Sequence, residues 1–257
     1  MLKQKTISKN LLICADGIND IVATSAIEYI KKYIISQITD TGMFCNRKNE
    51  PDIYYTYFGI VCAIICKKTD IQISRINKYL EKVDVNELHF IHLVSYIRIK
   101  RLIQLYLLQQ KLKLDVNKII KIPAYIAKDK EMLKLLKESY NRLENNKFPI
   151  NDKYCPYSLF LYAGTIQDCG GTIDKNFFLE NLNKYEVKQR SYSNIKNNKI
   201  ASLNATVAAV NIIYQLTGKI PKTVIEFIKK QQTETGGFIA VSESPIPDLL
   251  STATALF

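Results

Sequence analysis

The sequence predicts an all-α fold, a ring of about five helical hairpins in which outer and inner helices alternate. Three observations carry that expectation: a long-range internal repeat, an alternation of amphipathic with almost wholly apolar helical segments, and the absence of strand signals. Tyr33, Gln37, Gly42 and Phe44 fit the pattern (F/Y)xxxQxxxxGxF, and Phe227, Gln231, Gly236 and Phe238 fit it again with the same spacing. Each copy leads to a Pro-Asp pair and a threonine: Pro51, Asp52 and Thr56, then Pro247, Asp248 and Thr252. The copies start 194 residues apart, at Tyr33 and Phe227. That distance is four periods of roughly 48 residues, the length of a helical-hairpin repeat.

Taken in order, apolar residues at helical spacing mark amphipathic outer helices over residues 21–37, 70–81, 130–143, 174–185 and 221–232. Segments apolar on nearly all sides mark inner helices over 52–66, 86–108, 155–166 and 202–216, with a fifth from Asp248. Asp84 and Glu87 have the spacing of a capping box, and Pro221 suits a first helical turn. Gly42 and Gly236 permit the tight turn that ends an outer helix, Phe44 and Phe238 plug the apolar layer beyond it, and Gln37 and Gln231 tie loose backbone groups. Each helix pair can bury its apolar face only against the next, which favours a closed or nearly closed ring. With 9 Gly and 7 Pro and no linker-like stretch, residues 1–257 read as a single domain.

Composition narrows the class. The apolar run at 11–15 ends too early for a signal-peptide core, and the longest, at 60–66, is far short of a membrane span, so a cytoplasmic protein is expected. Six scattered cysteines read as free thiols; Cys62 and Cys66, one helical turn apart in an apolar segment, read as core packing. The net charge of +12 favours anionic partners, yet no helix-turn-helix, RNP or zinc-finger spacing supports nucleic acid.

The FxxxQxxxxGxF element resembles the QW-type repeat of squalene and oxidosqualene cyclases, with Phe in place of Trp. The segment from Pro247 to Ala255, PD(L/I)xxTxxA, is similar to an inner-helix start in protein prenyltransferase beta subunits. Degenerate copies lie at 141–148 and around 192–204. The resemblance implies an alpha/alpha toroid whose inner helices begin at the mouth of a central cavity. It makes Asp52, Asp248, Cys155, Tyr157, His89 and His92 catalytic candidates, and Tyr55, Thr56, Asn204, Ser251 and Thr252 substrate-binding candidates at one rim. Lys147, Lys153 and Arg190, with Lys188, are candidates for holding an anionic group such as a diphosphate. The competing readings are helix capping for the aspartates and a solvated surface for the lysines.

No metal or cofactor is expected. The stretch Asp152 to Tyr157 looks like a prenyltransferase zinc-ligand segment, but with one extra residue between Asp152 and Cys155, and Ser251 and Tyr55 stand where the histidine ligand would fall. His89 and His92, at i and i+3, supply at most half a site. The DxDD acid of class II cyclases and the DDxxD cluster of class I synthases are both absent. The resemblance thus implies an enzyme that binds a long apolar, isoprenoid or lipid-like substrate, or else a catalytically silent toroid that takes a peptide or protein partner in the same groove. The family usually closes its ring with a sixth hairpin, whereas here the fifth inner helix ends at Phe257. An open or incomplete ring is therefore expected, with Leu249, Leu250 and Leu256 covered by the segment 11–18 or by self-association.

Overall fold

The computed structural model describes residues 6–16, 18–66, 71–111 and 128–256, and more than half of them are helical. The chain forms two compact units. The N-terminal unit, chiefly Ser8–Arg142 with Asp168–Gly171, holds α1 (Ile7–Asp16), α2 (Ile18–Ile21), α3 (Thr24–Ser36), α4 (Ile53–Ile65), α5 (Ile73–Leu80), α6 (Phe90–Lys111) and α7 (Lys130–Arg142). The C-terminal unit, chiefly Leu143–Gln167 with Thr172–Phe257, holds α8 (Pro156–Asp168) up to Gln167, then α9 (Lys175–Asn183), α10 (Leu203–Thr217), α11 (Lys222–Lys230) and α12 (Leu249–Leu256). Helices α3, α5, α7, α9 and α11 fall on the expected outer segments, and α4, α6, α8, α10 and α12 on the inner ones.

In the N-terminal unit α4 packs chiefly against α6. Ile53, Tyr57, Ile60 and Val61 of α4 join Ile34, Ile76, Leu80, Ile99 and Ile103 in one buried cluster. Burying each such side chain stabilises by about 1.5–3 kcal/mol. In the C-terminal unit α8 and α10 are buried along most of their length, and Leu203 and Val207 of α10 pack with Phe238, against which Phe227, Ile228 and Ala255 rest.

The repeat closes on itself through one set of bonds. Phe44 N–H donates to Thr56 Oγ1 at 2.9 Å, Thr56 Oγ1 donates to the Asp52 carbonyl at 2.5 Å, and Asp52 N–H donates to the Phe44 carbonyl at 3.0 Å. Phe238, Thr252 and Asp248 repeat this at 2.9, 2.8 and 3.2 Å. Phe44 and Phe238 are both buried, as the repeat requires. A third full copy sits in the fourth hairpin, where Tyr192, Thr206 and Ser202 make the same bonds at 2.9, 2.8 and 2.9 Å. Gly42 and Gly236 both have positive φ, 84° and 87°, so the turn needs the left-handed region there. In the third copy that place belongs to Arg190, at φ 66°. The Phe44 ring lies on Gly59 of α4 so closely that a Cβ there would be 2.4 Å from it.

Several expectations change. A short antiparallel pair, β1 (Glu186–Lys188) and β2 (Ser191–Tyr192), precedes α10; strands this short show no alternation in sequence. Helix α6 starts at Phe90, so Asp84 and Glu87 form no capping box: the Asp84 carboxylate accepts from Asn86 N–H at 2.9 Å, closing a separate turn. The glutamine side chains do not tie backbone groups. The Gln37 and Gln231 carbonyls do, accepting from Cys45 and Ile239 N–H at 2.9 and 3.0 Å. Gln37 Oε1 takes the Cys45 thiol at 3.6 Å, while buried Gln231 Oε1 has no donor because Ile239 replaces that cysteine. Leu12, from the segment expected to cover the α12 flank, packs on the core of the N-terminal unit, and Leu249, Leu250 and Leu256 are exposed. The start expected for the outer segment 70–81, at Asp70, lies outside the described residues.

Candidate functional site

At the head of α4, Asp52 is the N-cap: its Oδ1 accepts from Tyr55 N–H at 2.9 Å, satisfying one of the open donors of the first turn. Its other oxygen, Oδ2, lies 3.5 Å from Nε2 of His92 in the first turn of α6, an ion pair when His92 is protonated. Asp52 therefore both caps and pairs. His89 precedes α6, is exposed, and gives its carbonyl to Leu93 N–H at 2.9 Å, so the two histidines do not share a helical face. Thr56 is fully buried and its hydroxyl is committed to the repeat bonds above.

Beyond Asp52, α4 presents an exposed stripe: Tyr55, Phe58 and Cys62, at i, i+3 and i+7. Tyr54 packs edge-on against Phe58 at 4.9 Å and against Tyr55 at 5.7 Å, and Tyr57 against Phe58 at 5.1 Å. Half-exposed aromatic rings at the N-terminal end of an inner helix, next to an Asp–His pair, form the most chemically loaded surface of this unit. Cys62 is exposed rather than core, and partial burial with Cys66 nearby pushes its thiol up.

The same unit holds a buried polar network that periodicity concealed, because Arg98 and Arg101 sit among the buried apolar residues of α6. Arg98 Nε lies 3.1 Å from Asp168 Oδ2, and its guanidinium sits 5.4 Å from the Tyr57 ring centre. The Ser8 hydroxyl donates to Asp168 Oδ2 at 2.8 Å, and Arg101 Nε donates to the Asp168 carbonyl at 3.1 Å. Arg101 also reaches Gln104 at 2.7 Å and Asp129 at 3.5 Å. Burial pushes the Asp168 carboxyl above its ordinary range, against the pull of Arg98, the Ser8 hydroxyl and Arg101. Burial next to Asp168 also pushes the Cys169 thiol up to about 12. The tell-tale sign in sequence was charge inside the apolar α6 run.

In the C-terminal unit the rim residues are also occupied. Cys155 is fully buried and its sulfur accepts from Ser158 N–H at 3.4 Å as the cap of α8; burial pushes the thiol up. The Asp152 carboxylate is taken by Tyr154 N–H at 2.9 Å and by the Tyr185 hydroxyl. Tyr157, half-buried, donates its N–H to Asn194 Oδ1 at 3.0 Å. Asn204, in the first turn of α10, holds a buried Oδ1 with no donor. Asp248 caps α12, accepting from Ser251 N–H at 2.8 Å; Ser251 is fully buried and the Thr252 hydroxyl closes the repeat. Arg190 is exposed and lies 3.4 Å from Glu186, Lys153 lies 5.2 Å over the Tyr154 ring, and Lys147 is half-exposed. The structure thus brings Asp52, Tyr55, Thr56 and His92 together, but spreads the remaining candidates over other helix starts and the surface.

Among the described residues, no three His, Cys, Asp or Glu side chains converge in a way that could hold a metal ion, and no helix is long and apolar enough to cross a membrane. No curated protein and no solved structure matches the chain. A family model described as the prenyltransferase alpha-alpha toroid domain matches residues 6–92 and 173–257, which include all three full copies of the repeat. Since the match covers well over half of the sequence and falls on the bonded elements that build the hairpins, the chain belongs to the prenyltransferase alpha-alpha toroid domain family.

Proposed function

We propose that this protein binds a long apolar molecule of the isoprenoid type along the aromatic stripe of α4, and that the Asp52–His92 pair acts as a base beside it. The observation that carries this reading is the exposed run Tyr55, Phe58 and Cys62 beginning next to that pair. Ring faces attract positive charge developing on an alkene chain. Asp52 holds the proton on His92 Nε2, leaving the Nδ1 lone pair to remove a proton next to such a charge. Imidazolium is too weak an acid to protonate an unactivated alkene, so a cyclase that starts by protonation gains no support. An anionic end group has less support than the apolar chain. The first-turn N–H groups of α4, α8, α10 and α12 are taken by Asp52, Asn194, Ser202 and Asp248, and Arg190 is paired with Glu186.

A second reading, a catalytically silent toroid that binds a peptide, is favoured by the state of Cys155. Its thiol is buried and pushed up, which suits packing and not thiolate chemistry. The test is binding of dansyl-labelled farnesol to the purified chain, followed by fluorescence. Tyr55→Ala with Phe58→Ala should weaken binding at least tenfold, since each lost ring contributes about 1 kcal/mol. His92→Ala should leave binding intact while abolishing any turnover. Binding that ignores the double substitution, or none at all, overturns the proposal.

A further inference from the structure

The three bonded copies of the repeat put their helix faces in register with one another, and two faces differ from their equivalents in exposure. The first lies on the inner helices. Counted from the caps Asp52, Ser202 and Asp248, the next residue and those four and seven further on are Ile53, Tyr57 and Ile60 in α4, Leu203, Val207 and Val210 in α10, and Leu249, Ala253 and Leu256 in α12. In α4 and α10 none of these is more than 9% exposed. The hairpin that follows in sequence covers them: Ile76 and Leu80 of α5 with Ile99 and Ile103 of α6 join the α4 set, and Phe227 and Ile228 of α11 rest on Leu203 and Val207. In α12, Leu249 is 86% and Leu256 74% exposed, and Ala253 is exposed as well.

The second face lies on the outer helices. Ile30, Phe178 and Val224 each stand fourteen residues before the repeat aromatic, Phe44, Tyr192 or Phe238. Phe178 is 1% exposed and its ring lies 6.0 Å from that of Tyr162 in α8, the preceding inner helix. Val224 is fully buried, on the helix whose Phe227 rests on α10, again the preceding inner helix. Ile30 in α3 is 37% exposed, and Tyr33, at the place of Phe227, is 63% exposed. The open face of α12 and the open face of α3 are thus the two halves of a contact that neighbouring hairpins of this chain already make.

We infer that copies of this chain associate head to tail, α3 of one copy seating on α12 of the next as α11 seats on α10. Tyr33 takes the place of Phe227 and Ile30 that of Val224, over Leu249 and Leu256 in place of Leu203 and Val210. Continuity with a contact made within the chain selects a second copy as the occupant, because one chain carries both halves. No unpaired charge enters it: α12 has no charged residue, and Lys31, beside Ile30, is paired with Glu28 at 2.7 Å. The contact joins two different faces, so it is heterologous and adds copies until a ring closes. Tyr55, 38% exposed, stands where Ala205 and Ser251 are fully buried. The open flank therefore extends to the head of the α4 stripe, where an apolar ligand and a second copy would compete. The association does not rest on that ligand, and its test uses none.

Analytical ultracentrifugation of the full chain should show a mean mass that rises with concentration. Leu249→Glu with Leu256→Glu closes one face, and Ile30→Glu with Tyr33→Glu closes the other. Each double variant should associate at least about tenfold more weakly than the parent, since burying one such side chain is worth about that factor or more. Mixed together, the two variants should recover association but stop at two chains, because each supplies the face that the other lacks. All four substituted residues are exposed, and circular dichroism matching the parent reports that both variants fold. A parent chain that keeps single-chain mass at every concentration would overturn the inference. So would two folded variants that form no mixed dimer, or association lost in only one of them, as a symmetric contact of one face with itself would give.

Discussion

Replacing the repeat threonine with valine separates the three copies by a single physical variable, burial. Thr56→Val keeps the branched shape but removes the acceptor for Phe44 N–H, which lies 2.9 Å from Oγ1 in a fully buried place. The Asp52 carbonyl is not orphaned, because Thr56 N–H still donates to it at 3.0 Å. One buried N–H is thus left without a partner, at a cost of about 1–3 kcal/mol. Thr206→Val should cost the same, since Thr206 is also fully buried and serves Tyr192 N–H at 2.9 Å. Thr252 makes the same bond to Phe238 N–H at 2.9 Å but is half-exposed, so water can replace the hydroxyl and the cost should fall below about 1 kcal/mol. Urea titration gives the order through the midpoints, and hydrogen exchange at the Phe44, Tyr192 and Phe238 amides locates the loss. A Thr252→Val penalty equal to that of Thr56→Val, or a Phe44 amide unprotected in the parent chain, would refute the reasoning.

Asp168→Asn should destabilise by about 3–5 kcal/mol because it leaves Arg98 buried without its counter-charge, whereas Arg98→Met combined with Asp168→Leu should recover most of the loss; a double-mutant cycle in urea measures both. Because the folded chain resists ionising Cys169 until about pH 12, the unfolded chain loses that proton first, so stability should fall as pH rises above about 8.5, and Cys169→Ser should flatten the slope measured by thermal melts. Arg190→Gly should raise stability by about 1 kcal/mol, since Arg190 holds the left-handed place that Gly42 and Gly236 fill elsewhere and its exposed pair with Glu186 contributes little; a lower melting temperature would contradict this. Gln231→Met should stabilise by relieving the buried Oε1, while Gln37→Met should not, because Cys45 satisfies Gln37; calorimetry distinguishes them.

The hairpin order was legible because its signals are local and repeated. A glycine demanded by positive φ recurs two residues before the phenylalanine, a threonine that serves the phenylalanine N–H recurs four residues after the aspartate, and helical periodicity supplied the rest. The third full copy is legible in sequence only as a degenerate one, around 192–204, because Tyr192, Ser202 and Arg190 fill the roles of Phe, Asp and Gly through backbone geometry that side-chain patterns do not report. For the site, Asp52 and His92 stood out by residue type, but their pairing joins hairpins whose residues are 40 apart in sequence, a register that spacing does not reveal. Arg98, Arg101 and Asp168 escaped notice because an apolar helix hides charged residues whose partners come from other elements. Cys62 was misplaced in the core because an all-apolar stretch has no periodicity to show which face is exposed.

The α4 stripe as the seat of an apolar ligand is tested most directly by the alkylation rate of Cys62. Among the cysteines whose side chains are described, 45, 66, 155 and 169 are buried and Cys62 is exposed, on the same stripe as Tyr55 and Phe58. In a Cys14→Ser background at mildly alkaline pH, iodoacetamide should modify Cys62 first, with each site followed by peptide mass spectrometry. Farnesol should slow that modification in proportion to its occupancy, and the protection should vanish in the Tyr55→Ala, Phe58→Ala variant. An alkylation rate at Cys62 unchanged by saturating farnesol would contradict the account.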